Sequence, residues 1–107
     1  MIENGELVAF CCFGKEAQVP GGDYRHEALD IGLGVRPDLT GLGRGHMYIA
    51  DVLNFARSKF NATHFRITIA AFNERAHRAW KKAGFQQEQT FKAQDNKEPF
   101  IVLMRHI

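Results

Sequence analysis

The stretch Asp30-Ile31-Gly32-Leu33-Gly34-Val35-Arg36-Pro37-Asp38-Leu39-Thr40-Gly41-Leu42-Gly43-Arg44-Gly45-His46 constrains the fold more than any other part of the chain. It reads as a strand, a turn punctuated by glycine and a helix start. Gly41, Gly43 and Gly45 alternate, which removes every Cβ from one side of the turn and lets bare N–H groups close on a ligand. The first turn of the following helix adds unpaired N–H groups and the positive end of its dipole, and Arg44 adds a full charge. An anion of the phosphate or pyrophosphate type suits that combination. Other phosphate loops fail on spacing: the dinucleotide fingerprint needs glycine or alanine where His46 stands, and no Gly-Lys-Ser/Thr follows. A glycine-rich turn without a ligand is the structural alternative.

Around this stretch the chain reads as one α/β domain over residues 1–107. Asn4-Gly5 is a hairpin signal, although only Met1, Ile2 and Glu3 supply its first strand. Residues 6–13 form an apolar run that reads as a strand covered on both faces. Residues 14–27, with Pro20-Gly21-Gly22, read as an exposed connection to a strand at about 28–35, which Pro37 closes. A helix over 45–60 places Ile49, Leu53, Ala56 and Phe60 on one face, and Asp51, Asn54 and Ser58 on another. The β-branched strand at 65–71 follows, and the strand-helix-strand unit implies parallel pairing with 28–35. Asn73 stands as N-cap of a second helix that Gly84 ends, with Ala76, Ala79 or Trp80, and Ala83 inward. Strands at about 86–93 and 99–107 flank a polar turn.

Composition narrows the function classes. Fourteen basic and 12 acidic residues leave a net charge of +2, too small to make nucleic acid the main partner. Arg75, Arg78, Lys81 and Lys82 read as a solvated helix face. No apolar run is long enough to span a bilayer and no signal sequence opens the chain, so a cytoplasmic location is the default expectation. Cys11 and Cys12, adjacent on a strand, point to opposite faces and read as small core residues of a reduced compartment. The histidines His26, His46, His64, His77 and His106 lack metal-ligand spacing, so no metal is expected.

With Asn73-x-x-Ala76-x-x-x-Trp80-x-Lys82-x-Gly84-Phe85 added to the loop, the chain from about Glu3 resembles the GNAT superfamily of acyl-CoA-dependent N-acetyltransferases. The family's loop pattern, Arg/Gln-x-x-Gly-x-Gly/Ala, falls on Thr40-x-x-Gly43-x-Gly45. Its second signature, Asn-x-x-Ala-x-x-x-Tyr-x-x-x-Gly-Phe, falls on Asn73 to Phe85. The resemblance implies a mixed, mostly antiparallel sheet with a central parallel strand pair flanked by two helices. It implies acetyl-CoA as co-substrate and a small-molecule or peptide amine as acceptor. Leu33, Gly34 and Val35 would pair with the pantetheine arm. Thr40, Gly41, Leu42, Gly43, Arg44, Gly45 and His46 would hold the pyrophosphate, and Asn73 would contact the arm as well as cap its helix.

Three departures from the family pattern bear on catalysis. Thr40 replaces the arginine or glutamine of the loop. Trp80 stands where many members carry a tyrosine proposed to protonate the departing thiolate, and an indole N–H is not a usable acid. The strand and two helices that usually precede the sheet do not fit before Glu6. Asp30 is the candidate base or anchor of a water relay, against a purely structural carboxylate. Thr68 stands where some members carry a glutamate base. A second reading is an acyl-CoA-binding module that does not catalyse. The shortened amino end should expose part of Leu7, Ala9, Cys11 and Phe13, or of Val8, Phe10 and Cys12. Two arrangements would cover that surface: a homodimer, or a longer polypeptide of which this chain is the ordered remainder.

Overall fold

In a computed structural model of the 107-residue chain, residues 2–3, 6–7, 9–35 and 45–106 are described. Strand β1 (Ile2–Glu3) pairs antiparallel with β2 (Glu6–Leu7), Ile2 opposite Leu7 and Glu3 opposite Glu6, which leaves the two-residue connection that Asn4-Gly5 favours. This small pair is its own sheet. The single strand expected over 6–13 is therefore two strands in two sheets, since β3 (Ala9–Phe13) joins the main one.

The main sheet has the order β3-β4-β5-β7-β6, built from β3, β4 (Leu29–Val35), β5 (His64–Ala70), β6 (Gln86–Lys92) and β7 (Pro99–His106). β4 and β5 are its parallel pair and the other neighbours are antiparallel. Among the described residues β3 is an edge strand, with a neighbour on one side only. Coverage on both faces also fails: Phe10 is 61% exposed and Cys11, on the other face, is exposed, with Cys12 half-buried. The expectation that both cysteines sit in the core is corrected by the same fact. Both remain free thiols.

Helix α1 (Gly45–Phe60) has the expected bounds and buries Tyr48, Ile49, Val52, Leu53 and Ala56, a wider stripe than the spacing alone marks. Phe60 is partly exposed and lies against Phe13, ring centroids 5.1 Å apart. Helix α2 (Glu74–Lys82) has nine residues, below the roughly 12–15 at which an isolated helix becomes even marginal, so its ends and its packing must hold it. Asn73 Oδ1 accepts the Ala76 N–H at 3.2 Å. At the other end Gly84 takes φ +97°, and Phe85 N–H donates to Trp80 O at 3.1 Å and Gly84 N–H to Lys81 O at 3.0 Å. That pairing is a Schellman cap. Phe85 then tucks edge-on against Trp80, centroids 4.9 Å apart.

Both helices cover one face of the sheet. Phe65, Ile67 and Ile69 alternate on that face of β5 and join Ile31, Ile101 and Leu103 with the inner residues of α1 and with Trp80 and Phe85 in one core. The intervening positions, Asp30 on β4 and Arg66, Thr68 and Val102 on β5 and β7, belong to the opposite face. Segment 18–28 lies over part of it.

Candidate functional site

The parallel ladder between β4 and β5 runs Leu29 to Phe65, Asp30 to Arg66 and Ile31 to Ile67, and there it ends. Beyond it β4 stays paired with β3 out to Val35 opposite Ala9, while β5 stays paired with β7 out to Ala70 opposite Phe100. From Gly32 and Thr68 onward the two strands have separated, and their facing edges have no strand partner among the described residues. Ligands of α/β sheets collect at the carboxyl ends of parallel strands, where such a gap opens. Leu33, Gly34 and Val35 form the β4 side of this gap. A Cβ on Gly34 would run into the Phe10 ring, so glycine keeps that ring against the strand.

Each helix follows one of the two parallel strands, so the amino ends of α1 and α2 both sit at the end where the gap opens. Gly45 and His46 are the first two residues of α1, whose amino terminus favours an anion. Asn73 is exposed at the start of α2, where it caps the helix. Thr40, Gly41, Leu42, Gly43 and Arg44 lie outside the described residues.

Asp30 is 4% exposed and Arg66 2% exposed, side by side across the ladder. Arg66 Nε donates to Asp30 Oδ1 at 2.6 Å and Nη2 to Oδ2 at 2.8 Å, the bidentate geometry that guanidinium and carboxylate share. Gln18 Nε2 adds a third donor at 2.8 Å, and Arg66 Nη1 reaches the His26 carbonyl at 2.9 Å. The hydrogen bond to Asp30 pushes the guanidinium above its ordinary pKa, against the opposing effect of burial. With three donors on its oxygens, Asp30 would have to break a buried ion pair before it could take a proton from an amine. The arrangement suits an anchor.

That anchor carries a further layer which the sequence did not point to. The Arg66 guanidinium stands 4.9 Å from the centre of the Tyr24 ring, a cation–π distance. Tyr24 Oη accepts the Val19 N–H at 2.9 Å and lies 2.9 Å from Thr68 Oγ1. Thr68 is the first β5 residue beyond the last paired position, so this hydroxyl pair stands where the strands begin to part. Arg66 could have been suspected, because one charged residue within Phe65-Arg66-Ile67-Thr68-Ile69 needs a partner if the strand is central. Tyr24 offered no such signal, being a single aromatic in a connection. Next to it, Arg25 folds back on Asp23 through hydrogen bonds of 2.9 and 2.8 Å from its side chain and 3.1 Å from its backbone. These bonds hold the Asp23 carboxyl well below the usual carboxylate range.

Trp80 is 3% exposed and packed in the core of α2 against Phe85, not presented to solvent. His64 and His106 stack across β5 and β7, centroids 4.2 Å apart, and with His26, Glu27 and Glu88 they border a cleft of about 560 Å3. That cleft lies at the amino end of β5, opposite the gap. Among the described residues no three His, Cys, Asp or Glu side chains come together as a metal site. No helix among them is long and apolar enough to cross a membrane.

The profile of the Acetyltransferase (GNAT) family matches residues 1–85. No curated protein matches the sequence. Among solved structures, a ribosomal-protein-alanine N-acetyltransferase from Brucella melitensis is 17% identical with a TM-score of 0.75, over 100% of this chain and 66% of its own. A GNAT-family acetyltransferase from Bacillus anthracis is 16% identical with a TM-score of 0.73, over 99% and 62%. The spermidine N-acetyltransferase of Vibrio cholerae, solved with CoA and spermine, is 17% identical with a TM-score of 0.64, over 78% and 52%. The chain thus spans about three fifths of the length of the structures it matches, and at these identities the likeness is one of fold.

Proposed function

Because the chain belongs to the acetyltransferase (GNAT) family, we propose that it moves an acetyl group from acetyl-CoA to a primary amine, by direct attack of the amine on the thioester while both are bound. One observation carries the reading: β4 and β5 part after Ile31 and Ile67, at the end where α1 and α2 begin. A gap of this kind takes an extended chain along the strand edge of Leu33, Gly34 and Val35, whose peptide groups pair with the amides of the pantetheine arm. The loop of Thr40, Gly41, Leu42, Gly43 and Arg44, with Gly45 and His46 at the helix start, holds the pyrophosphate. Asn73 meets the arm from the start of α2.

Most of the rate would come from holding amine and thioester together, which can contribute about 7–11 kcal/mol. A backbone N–H at the end of β4 faces the carbonyl oxygen as charge develops on it. Trp80 walls the thioester end, and the departing thiolate takes its proton from water. The acceptor is a small-molecule or peptide amine, the class to which spermine, bound in the Vibrio cholerae structure, also belongs.

The test is transfer of labelled acetyl from acetyl-CoA to a panel of polyamines, aminoglycosides and amino-terminal peptides. Trp80→Phe is expected to turn over close to the wild-type rate, because packing is its role here. Tight acetyl-CoA binding without transfer to any acceptor would favour the second reading, a binding module without catalysis.

A further inference from the structure

The two hydroxyls of Tyr24 and Thr68 are 44 residues apart in sequence and 2.9 Å apart in space. Their protons can be counted. One lies between the two oxygens, whichever is the donor. With Tyr24 as the donor, its oxygen accepts the Val19 N–H and keeps one open lone pair, while Thr68 keeps an outward O–H and one open lone pair. Such a pair can take up a proton at one oxygen while releasing one from the other.

Its surroundings suit that exchange. The Val19 N–H holds the phenol oxygen in place, Arg66 lies against the ring, and Asp30 with Gln18 holds Arg66 from behind. The Tyr24 ring is fixed by Arg66 on its face and by Phe91 edge-on at 6.4 Å, and it closes over Gly22, where a Cβ would come within 2.9 Å of it. Thr68 continues the register of the parallel ladder to the position across from Gly32, which has no side chain to place between them. Both residues are half-buried, on the sheet face away from the two helices.

We propose that Tyr24 and Thr68 form the proton relay of the acetyl transfer, and that the buried Asp30–Arg66 pair positions them. This rests on the acetyl-transfer reading above. As the amine nitrogen bonds to the carbonyl carbon and the C–S bond breaks, its electron pair leaves with the coenzyme A sulfur. The surplus proton of the amine passes to Tyr24 Oη, the phenol's own proton passes to Thr68 Oγ1, and the Thr68 proton passes to water. The thiolate takes a proton from water, so the products are amide and thiol.

Tyr24→Phe removes the oxygen and keeps the ring on Arg66 and Phe91. It should lower kcat about a hundredfold or more, the usual scale of a lost acid–base group, with KM for acetyl-CoA unchanged. Added imidazole, a mobile base, should restore part of that rate. Thr68→Val should match the loss, Thr68→Ser should not, and the double variant Tyr24→Phe/Thr68→Val should lose no more than either alone, as groups acting as a unit do. Wild-type turnover in Tyr24→Phe would overturn the relay and leave acetyl transfer standing. So would a loss that imidazole does not relieve, accompanied by a lowered melting temperature, because that marks an anchor for segment 18–28. A wild-type chain that binds acetyl-CoA and acetylates no amine would overturn both proposals.

Discussion

Asp30 and Arg66 meet across the parallel ladder with almost no exposure, so removing one strands the other's charge away from water. Breaking a buried pair from one side typically costs about 3–5 kcal/mol, while replacing both partners by apolar residues of similar volume is often neutral. Asp30→Ala should therefore lower unfolding stability by about that amount, and Asp30→Leu/Arg66→Met should recover most of it in a denaturant titration. If the single and double variants lose equally, the pair is not what stabilises this face. Under the relay, the double variant folds and still transfers slowly, because Tyr24 has lost its support. Asp30 was visible in the sequence as a carboxylate near the glycine-rich turn. That Arg66 is its partner was not, since register between strands separated by a whole helix leaves no local trace, even though a lone charge in an apolar strand marks Arg66 as needing one.

Elements were legible where their signals are local. Both ends of α1 and both caps of α2 followed from apolar spacing, Asn73 and Gly84, because capping is a matter of a few consecutive residues. The run of residues 6–13 was misread for the converse reason. An unbroken apolar run has no period, so it cannot tell whether both faces of a strand are covered, and β3 leaves Phe10 and Cys11, on opposite faces, exposed. The cap of α2 supports a prediction at this scale. Gly84 has φ +97°, and an added Cβ would sit 3.2 Å from Arg105 Nε, whose Nη1 donates to the Ala83 carbonyl at 2.7 Å. Gly84→Ala should cost about 1–2 kcal/mol, the strain of a left-handed backbone for an L-residue, measured by urea unfolding. An unchanged midpoint would show that the end of α2 readjusts freely.

At the scale of the molecule, the strand β4 and the helix α1 that follows it were readable from one continuous stretch, and contacts between distant segments were not. The loop proposed to hold the pyrophosphate lies between β4 and α1, outside the described residues, and its glycines and Arg44 fall within one short stretch of sequence. The Tyr24–Thr68 pair needs segment 18–28 folded over a central strand, and the order β3-β4-β5-β7-β6, which inserts the last strand beside β5, is likewise a long-range outcome. The proposed loop makes a prediction that needs no acceptor. Coenzyme A that binds only the folded chain stabilises it by RT ln(1 + [L]/Kd), about 2.7 kcal/mol at a hundred times Kd. For a domain of this size each kcal/mol raises Tm by roughly 4–8 °C, so the melting temperature should climb by about 10–20 °C at that concentration. Gly43→Val puts a branched side chain where the phosphate oxygens would rest, in a loop whose bare amides are the proposed anion site. It should melt like the wild type without ligand and lose most of the shift with it. A full shift in the variant would move the anion away from this loop, and a variant that melts lower without ligand would assign Gly43 to the fold instead.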